Sequence, residues 1–100
     1  MARRIQHAPA RAVDTRWVEV FSALASEPRL RIVALLAQGQ TQCQEILERM
    51  DLSQPAVSYH LGKLERAGVL VKRRIGTRNC YEIDGRIRTL VRMILKEGER

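Results

Sequence analysis

The chain has 100 residues, 45% of them hydrophobic, which is enough for one domain with a modest core. Its 18 Lys and Arg residues against 11 Asp and Glu give a formal net charge of +7, which favours a polyanion or an anionic membrane as partner. The longest apolar run has six residues and no apolar block follows the first arginines, so we expect neither a membrane span nor a signal peptide. Two cysteines make no disulfide framework, and we expect a cytoplasmic protein.

The amino-terminal region divides into an arm and the start of a folded domain. Residues 1–12 are basic and lack an apolar period, which predicts a flexible arm, and the folded domain is expected over residues 13–100. From Asp14, a suitable helix N-cap, apolar residues recur at helical spacing and predict a first helix. Its apolar stripe comprises Trp17, Val18, Phe21 and Leu24.

Two further helices follow. Ser26 and Pro28 suit the N-cap and first turn of a second helix, and Gly39 suits its end. The wide apolar set of this helix predicts a central, mostly buried position. Thr41 and Gln44 have the spacing of a capping box and predict a short third helix. The inward face of this third helix comprises Ile46, Leu47 and Met50.

A fourth helix carries a mixed polar face. A tight turn at positions 51 and 52 leads into it, Ser53 caps it and Gly68 ends it. Val57, Leu61 and Leu64 fall on one side of a helical wheel and must face the core. The other side carries groups that bond base edges or phosphates, namely Gln54, Ser58, Tyr59, Lys63 and Arg66. Two short helices joined by a tight turn form a helix-turn-helix motif.

A β-hairpin and a last helix complete the predicted order. Apolar stretches at 69–71 and 80–83 flank a basic segment containing Gly76, which predicts two strands with Arg73, Arg74 and Arg78 near the tip. Such arginines can reach a minor groove or the DNA backbone. The last helix, over 85–100, has an apolar face at helical spacing. The order α-α-α-α-β-β-α predicts a mainly α (α+β) winged helix-turn-helix fold.

Other interpretations compete with a specific DNA-binding regulator. The polar face could be ordinary solvated surface, or the winged helix could be a protein–protein interaction module. The net charge also permits a non-specific DNA binder. An enzyme is not expected, because Ser58 and His60 point in different directions from one helix and no Gly-rich phosphate loop or HExxH motif is present. The polar helix face and the wing arginines together favour DNA.

The segments SEPRLRI at 26–32, LSQPAVSYHL at 52–61 and LERAGVL at 64–70 resemble the ArsR/SmtB family of bacterial transcriptional repressors. The similarity runs from about residue 21 to residue 83. The resemblance implies a homodimer, joined through its first and last helices, that binds an imperfect inverted repeat as a repressor. It also implies that an inducer, often a metal ion, releases the DNA.

The helix pattern and the resemblance together predict the DNA contacts and the dimer interface. The candidate DNA-binding residues are Ser53, Gln54, Ser58, Tyr59, His60, Lys63, Arg73, Arg74 and Arg78. Of these, His60 lies at the border of the core stripe, where it can bond a neighbouring element or a phosphate as easily as a base. The terminal helices have more apolar surface than a small core needs, which favours dimerisation over docking within one chain. The predicted dimer interface comprises Trp17, Phe21, Ile87, Leu90, Val91, Ile94 and Leu95.

The familiar metal sites of the family have no counterpart in this sequence. One of them uses two cysteines one residue apart at the start of the third helix, where this chain has Gln42 and Gln44. Another uses Asp and His pairs on the last helix, which here contains no His. Cys43 shares its spacing with the inward face of the third helix, so we expect it in the core.

Few sensor candidates remain. Cys80 alternates with apolar strand residues, so we expect it to face outward beside Arg78, which would make the thiol more acidic. Cys80 and His7 are weak candidates for a metal site, the latter with ligands from the partner subunit. A thiol switch would need Cys43 and Cys80 to meet. A small organic effector, a separate sensory partner protein and no effector at all stay equally open.

Overall fold

The computed structural model describes residues 11–39 and 43–95, and this part of the chain forms the predicted series of helices with one hairpin. The elements are α1 Arg16–Leu24, α2 Glu27–Ala37, α3 Cys43–Arg49, α4 Gln54–Arg66, β1 Leu70–Ile75, β2 Arg78–Ile83 and α5 Arg88–Ile94. Their order confirms the winged helix-turn-helix. The predicted arm up to residue 10, Thr41, the side chain of Cys43 and residues 96–100 lie outside the description.

Two serines and two glycines set the ends of the central helices. The Ser26 Oγ accepts a hydrogen bond from the Arg29 backbone N–H at 3.4 Å, and the Ser53 Oγ accepts one from the Ala56 N–H at 3.2 Å. Each hydroxyl therefore satisfies one of the unpaired donors of a helix start. Gly39 and Gly68 have φ values of +107° and +87°, which a residue with a Cβ adopts only with strain.

The start of α1 differs by one residue from the prediction. Thr15 occupies the N-cap position without a side-chain hydrogen bond, and the Asp14 carboxylate accepts the Arg16 backbone N–H at 3.0 Å. Asp14 also pairs with the Arg16 guanidinium, with Oδ2 and Nη2 2.6 Å apart. The hydrogen bonds from Arg16 lower the pKa of Asp14 to about 2, so this carboxylate stays charged at neutral pH.

The core lies between α2, α3, α4 and the base of the hairpin. Ile32 and Val33 from α2, Ile46 from α3 and Leu64 from α4 are completely buried. Burying each such side chain stabilises the fold by roughly 1.5–3 kcal/mol relative to leaving it exposed. These contacts fix α4 against α2 and α3 and so determine which side of α4 faces solvent.

The hairpin is longer than predicted and tightly closed. Its strands pair antiparallel from Leu70 opposite Ile83 to Ile75 opposite Arg78, so the basic residues belong to the strands. The turn has two central residues, and the first of them, Gly76, has a φ of +62°. A positive φ at this position is the pattern of a type II′ turn, which matches the twist of the two strands. We call residues 70–83 the wing.

The prediction that Cys80 faces outward is wrong, since its residue is only 8% exposed. Cys80 pairs with Arg73 on the neighbouring strand, so the two side chains lie on one face. On that face the Arg73 Nε approaches the Glu82 Oε1 to 3.2 Å. Arg73 and Glu82 therefore flank the small thiol on this face, an arrangement across two strands that the alternation of one strand does not reveal.

The placement of two predicted interface residues is also wrong. Ile87 and Val91 are 2% and 3% exposed and pack into the chain's own core. They lie four residues apart, so they share one face of α5, and this face docks on the domain. Leu90 and Leu95 are partly buried against the same core, while Ile94 is 45% exposed.

Candidate nucleic-acid interface

The polar face of α4, formed by Gln54, Ser58, Tyr59 and Lys63, lies opposite its core residues. Gln54 and Ser58 are exposed, and Tyr59 keeps 55% of its surface open to solvent. The buried contacts of α4 hold these side chains in a fixed row along the helix. An exposed helix of 13 residues with such a row has the dimensions to enter a major groove.

The amino-terminal end of α4 is suited to a phosphate. The exposed Ser53 hydroxyl accepts its capping hydrogen bond from Ala56, which leaves the hydroxyl proton available for donation. The positive end of the helix dipole and the Gln54 backbone N–H favour an anion at the same place, whereas Pro55 has no N–H and the Ala56 N–H is bonded to Ser53. Ser53 and Gln54 therefore lie together at the end of the helix that can approach a DNA strand.

Tyr59 and Lys63 form a pair on the polar face. The Lys63 ammonium lies 5.9 Å from the centroid of the Tyr59 ring, within the range of a cation–π contact. Lys63 is half-buried, so its stem packs on the protein while its charge stays on the polar face. The pair places a phenol hydroxyl, which can bond a base edge, beside an ammonium group, which can bond a phosphate.

His60 has a different environment from the other predicted DNA contacts. It is half-buried, and its Nδ1 lies 3.1 Å from the Arg29 Nη1. Burial, followed by the charge of Arg29, lowers the pKa of His60 below the ordinary 6.5, so the ring is neutral at pH 7. Of the alternatives open for His60, the structure shows the bond to a neighbouring element.

The predicted wing arginines lie on two faces of the hairpin. Arg73 and Arg78 lie on the face that carries Cys80, whereas Arg74 lies on the opposite face with Lys72. Lys72 approaches Glu65 of α4, with Nζ and Oε1 3.9 Å apart, so its face is the one turned toward α4. Lys72 is not among the DNA contacts predicted from the sequence, although the period of two along the strand places it on the same face as Arg74.

Local hydrogen bonds orient the exposed Arg74 side chain. Its Nε donates to the Gly76 carbonyl oxygen and its Nη1 donates to the Asn79 Oδ1, each at 3.4 Å. These bonds hold the guanidinium close to the tip of the wing. The charge is exposed there and available to a phosphate or a narrow minor groove.

A second exposed surface is apolar. Trp17 and Phe21 of α1 are 37% and 54% exposed, and their ring centroids are 6.0 Å apart. The buried side of α1 instead comprises Val20, Ala23 and Leu24. A groove of about 240 Å³ between α1, α2 and α5 is lined by Phe21, Leu24, Ala25, Leu30, Leu90 and Ile94. We call the exposed residues Trp17, Val18, Phe21, Met93 and Ile94 the apolar outer face.

Residues 11–39 and 43–95 contain neither a metal-ligand cluster nor a membrane-spanning helix. Within these ranges no three His, Cys, Asp or Glu side chains come close enough together to hold a metal ion. No described helix is long and apolar enough to cross a membrane. His7 lies outside the described residues, and Cys80 is buried.

Comparisons with known proteins agree with this geometry. A sequence profile described as "Bacterial regulatory protein, arsR family" matches residues 26–72. An HTH-type transcriptional regulator of Methanocaldococcus jannaschii is 35% identical over 78 residues, covering 76% of this chain and 88% of the relative. The arsenical resistance operon repressor of Escherichia coli is 33% identical over 84 residues, covering 83% of this chain and 72% of the relative. Two other relatives are longer, and the chain covers 61% and 65% of them.

A solved structure shares the fold. It is the homodimeric winged helix-turn-helix DNA-binding domain of a possible ArsR-family transcriptional regulator from Mycobacterium bovis. The two chains superpose with a TM-score of 0.74 and 30% sequence identity, covering 86% of each chain. The match extends beyond the helix-turn-helix to most of the chain.

Proposed function

The chain belongs to the ArsR family of DNA-binding transcriptional regulators, and we propose that it represses transcription as a homodimer bound to an inverted-repeat operator. The observation that carries the proposal is the exposed polar face of α4 beside a basic wing. In this arrangement α4 enters the major groove and the wing follows the neighbouring backbone or minor groove.

The base contacts and the phosphate contacts have different roles in this proposal. Gln54 reads a base edge, since its amide can pair bidentately with adenine, and Ser58 and Tyr59 add further bonds to bases. Lys63 and Arg74 bind phosphates and set the register of the protein on the duplex. The net charge of +7 strengthens binding to any DNA, so selectivity depends on the base contacts.

The apolar outer face supports the homodimer. Phe21 and Ile94 line one groove and are both substantially exposed, which is costly for a protein that remains a monomer. The M. bovis relative with the same fold is homodimeric. A two-fold pairing through α1 and α5 would present two copies of α4 to successive major grooves, which matches an inverted repeat.

Substitution of Ile94 tests the homodimer. Ile94→Glu places a charge in the proposed interface, so we expect a monomer by sedimentation with at least tenfold weaker operator binding. Thr89→Glu, at an exposed position of α5 outside the groove, is the matched control. An Ile94→Glu variant that stays dimeric would move the interface elsewhere.

We also propose that an effector releases the protein and that it does not bind through the family's cysteine pair. Positions 42 and 44 hold glutamines, which cannot supply thiolates to a soft metal. The E. coli relative is an arsenical resistance operon repressor, so arsenite is an informative probe. We expect arsenite to leave the protein–DNA complex intact. Release by arsenite would require thiols from elsewhere in the dimer, and the same assay then screens other metals, oxidants, small organic molecules and partner proteins.

Footprinting tests the proposed function directly. Reduced, metal-free protein is applied to genomic fragments, including the DNA upstream of its own gene. Protection of an inverted repeat with half-sites about one helical turn apart is the expected result. Diffuse protection that disappears with modest salt would instead indicate a non-specific binder. Absence of protection would favour the protein–protein interaction module.

A further inference from the structure

Arg29 connects three helices through one side chain. It lies in the first turn of α2, where its backbone N–H donates to the Ser26 Oγ. Its Nε donates to the Ala23 carbonyl oxygen at 2.6 Å, in the last turn of α1. Its Nη1 lies 3.1 Å from the Nδ1 of His60, on α4. The planar guanidinium therefore fixes the end of α1 and the middle of α4 relative to α2.

The charges at this junction are complementary. The Ala23 carbonyl is among the last carbonyls of α1, which lack helical partners and carry the negative end of the helix dipole. Arg29 neutralises that end. An arginine donates from every nitrogen, so the Nδ1 of His60 must accept, and the proton of the neutral ring lies on Nε2.

We propose that Arg29 positions α4 for operator binding by holding His60 against the end of α1, and that binding weakens when His60 gains a proton. The inference rests on the proposed function, because it concerns the same α4–DNA contact. His60 is adjacent to Tyr59 in the sequence, and their rings meet edge to face with centroids 5.4 Å apart. A shift of His60 thus changes the placement of the polar face of α4.

The junction also links the two proposed surfaces. Ala23 lies two residues from Phe21 on the helix that carries part of the apolar outer face. One Arg29 side chain consequently connects the dimer helix with the DNA-reading helix. A change in how α1 packs in the dimer would alter this bond and so change the orientation of α4, without a ligand touching either surface.

The protonation step has a defined direction. A protonated His60 has no free Nδ1 lone pair for Arg29 and places a second positive charge beside the guanidinium. Burial and Arg29 lower the pKa of His60, so the stability that depends on the neutral ring is complete above pH 6.5 and is lost as pH falls toward the lowered value. Besides Arg29, the elements packed against α4 carry the charged residues Arg16, Glu19, Glu27, Arg31, Glu45, Glu48, Arg49, Lys72, Arg73 and Arg74. Among charges in the described part of the chain, Arg29 is the one that shifts this pKa.

Two substitutions test the positioning role. The probe is a duplex that the wild-type protein selects from random-sequence DNA. Arg29→Met keeps the length of the side chain but removes its donors, and we expect about tenfold weaker binding to the probe. Arg31→Met is the matched control, since Arg31 lies on the same helix and pairs with Glu27 in solvent. Sedimentation checks that both variants keep the oligomeric state of the wild type.

The pH profile separates positioning from a general loss of structure. We expect binding of the wild type to weaken as pH falls from 6.5 toward the lowered pKa of His60, whereas His60→Gln, which keeps an acceptor but does not titrate, lacks that fall. Arg29→Met should lack it as well. If Arg29→Met does not fold, the comparison of His60→Gln with the wild type decides the question.

The outcomes distinguish the two proposals. A wild type that selects no sequence overturns the proposed function and this inference together. The inference alone is overturned by the following result with a selective wild type. Arg29→Met and Arg31→Met lower the affinity equally, and the wild type has the same acid-side binding profile as His60→Gln. A selective wild type with the expected difference between the two arginines and with the acid-side fall supports both.

Discussion

The helix α4 and the wing are both proposed to contact DNA, yet the protein supports them in different ways. The inner side of α4 carries three residues that are at most 1% exposed, Val57, Leu61 and Leu64. In the wing, every residue from 71 to 78 is exposed, and burial in the core is confined to its base, at Leu70 and residues 80, 81 and 83. Base reading requires a fixed geometry, so it suits α4, whereas a long-range charge contact tolerates the looser support of the wing.

Truncation of an apolar side chain in each region should show the largest difference. Leu61→Ala removes a buried side chain under α4, so we expect a loss of about 2–5 kcal/mol in the free energy of unfolding. Ile75→Ala, in the wing, removes a side chain that is 59% exposed. We expect it to change the free energy of unfolding by less than about 0.5 kcal/mol. Chemical denaturation measures both. Equal losses would mean that the wing is as firmly packed as α4.

Removal of one base contact should reduce selectivity. Gln54→Ala is expected to cost about 1–3 kcal/mol on the selected duplex and to relax the preference at one base pair. Gln38→Ala, at an exposed site just after α2, is the matched control. Binding titrations against single-base variants of the duplex give the answer. If Gln54→Ala weakens every duplex by the same factor, α4 does not read a base through this residue.

Removal of a wing charge should instead affect all sequences alike. Arg74→Ala is expected to lower affinity for cognate and random duplexes by similar factors and to reduce the salt dependence by about 0.9 in the slope of log K against log salt. Affinity measured over a series of salt concentrations provides the slope. An unchanged slope would remove Arg74 from the set of phosphate contacts, and a sequence-dependent loss would give the wing a part in base reading.

The ion pair that joins the wing to α4 should contribute least to the free energy of unfolding. The ion pair of Lys72 with Glu65 is between side chains 42% and 38% exposed, and solvent screens such pairs. A double-mutant cycle with Lys72→Ala and Glu65→Ala is expected to give a coupling of about 0.2–1 kcal/mol in unfolding. A coupling well above that range would indicate that the wing and α4 behave as one rigid unit.

Most of the fold could be predicted because its signals are local. Ser26 and Ser53 cap the starts of α2 and α4, and Gly39 and Gly68 mark their ends. Each of these residues lies within a few residues of the helix that it predicts. The apolar period then places the core side of α4 correctly. Local signals of this kind depend on backbone chemistry that each segment carries with it.

What could not be predicted depends on contacts between distant segments. Cys80 is buried on a strand face that it shares with Arg73 of the neighbouring strand. The apolar face of α5 is wide enough to pack on its own domain and on a second subunit. The helical period therefore does not predict that Val91 packs inward while Ile94 is exposed. The bond between Arg29 and His60 joins residues 31 positions apart, and no periodicity in either helix predicts it.

The tight closure of the wing has a consequence for how such regulators diversify. Because the turn at Gly76 is short and its strands pair in register, the hairpin can lengthen only in whole steps. One residue added to each strand extends the wing by about 3.4 Å and exchanges the faces of the side chains at its tip. Two residues added to each strand restore those faces and extend the wing by about 6.8 Å. The distance that the wing reaches from the domain can therefore change without any change to the core.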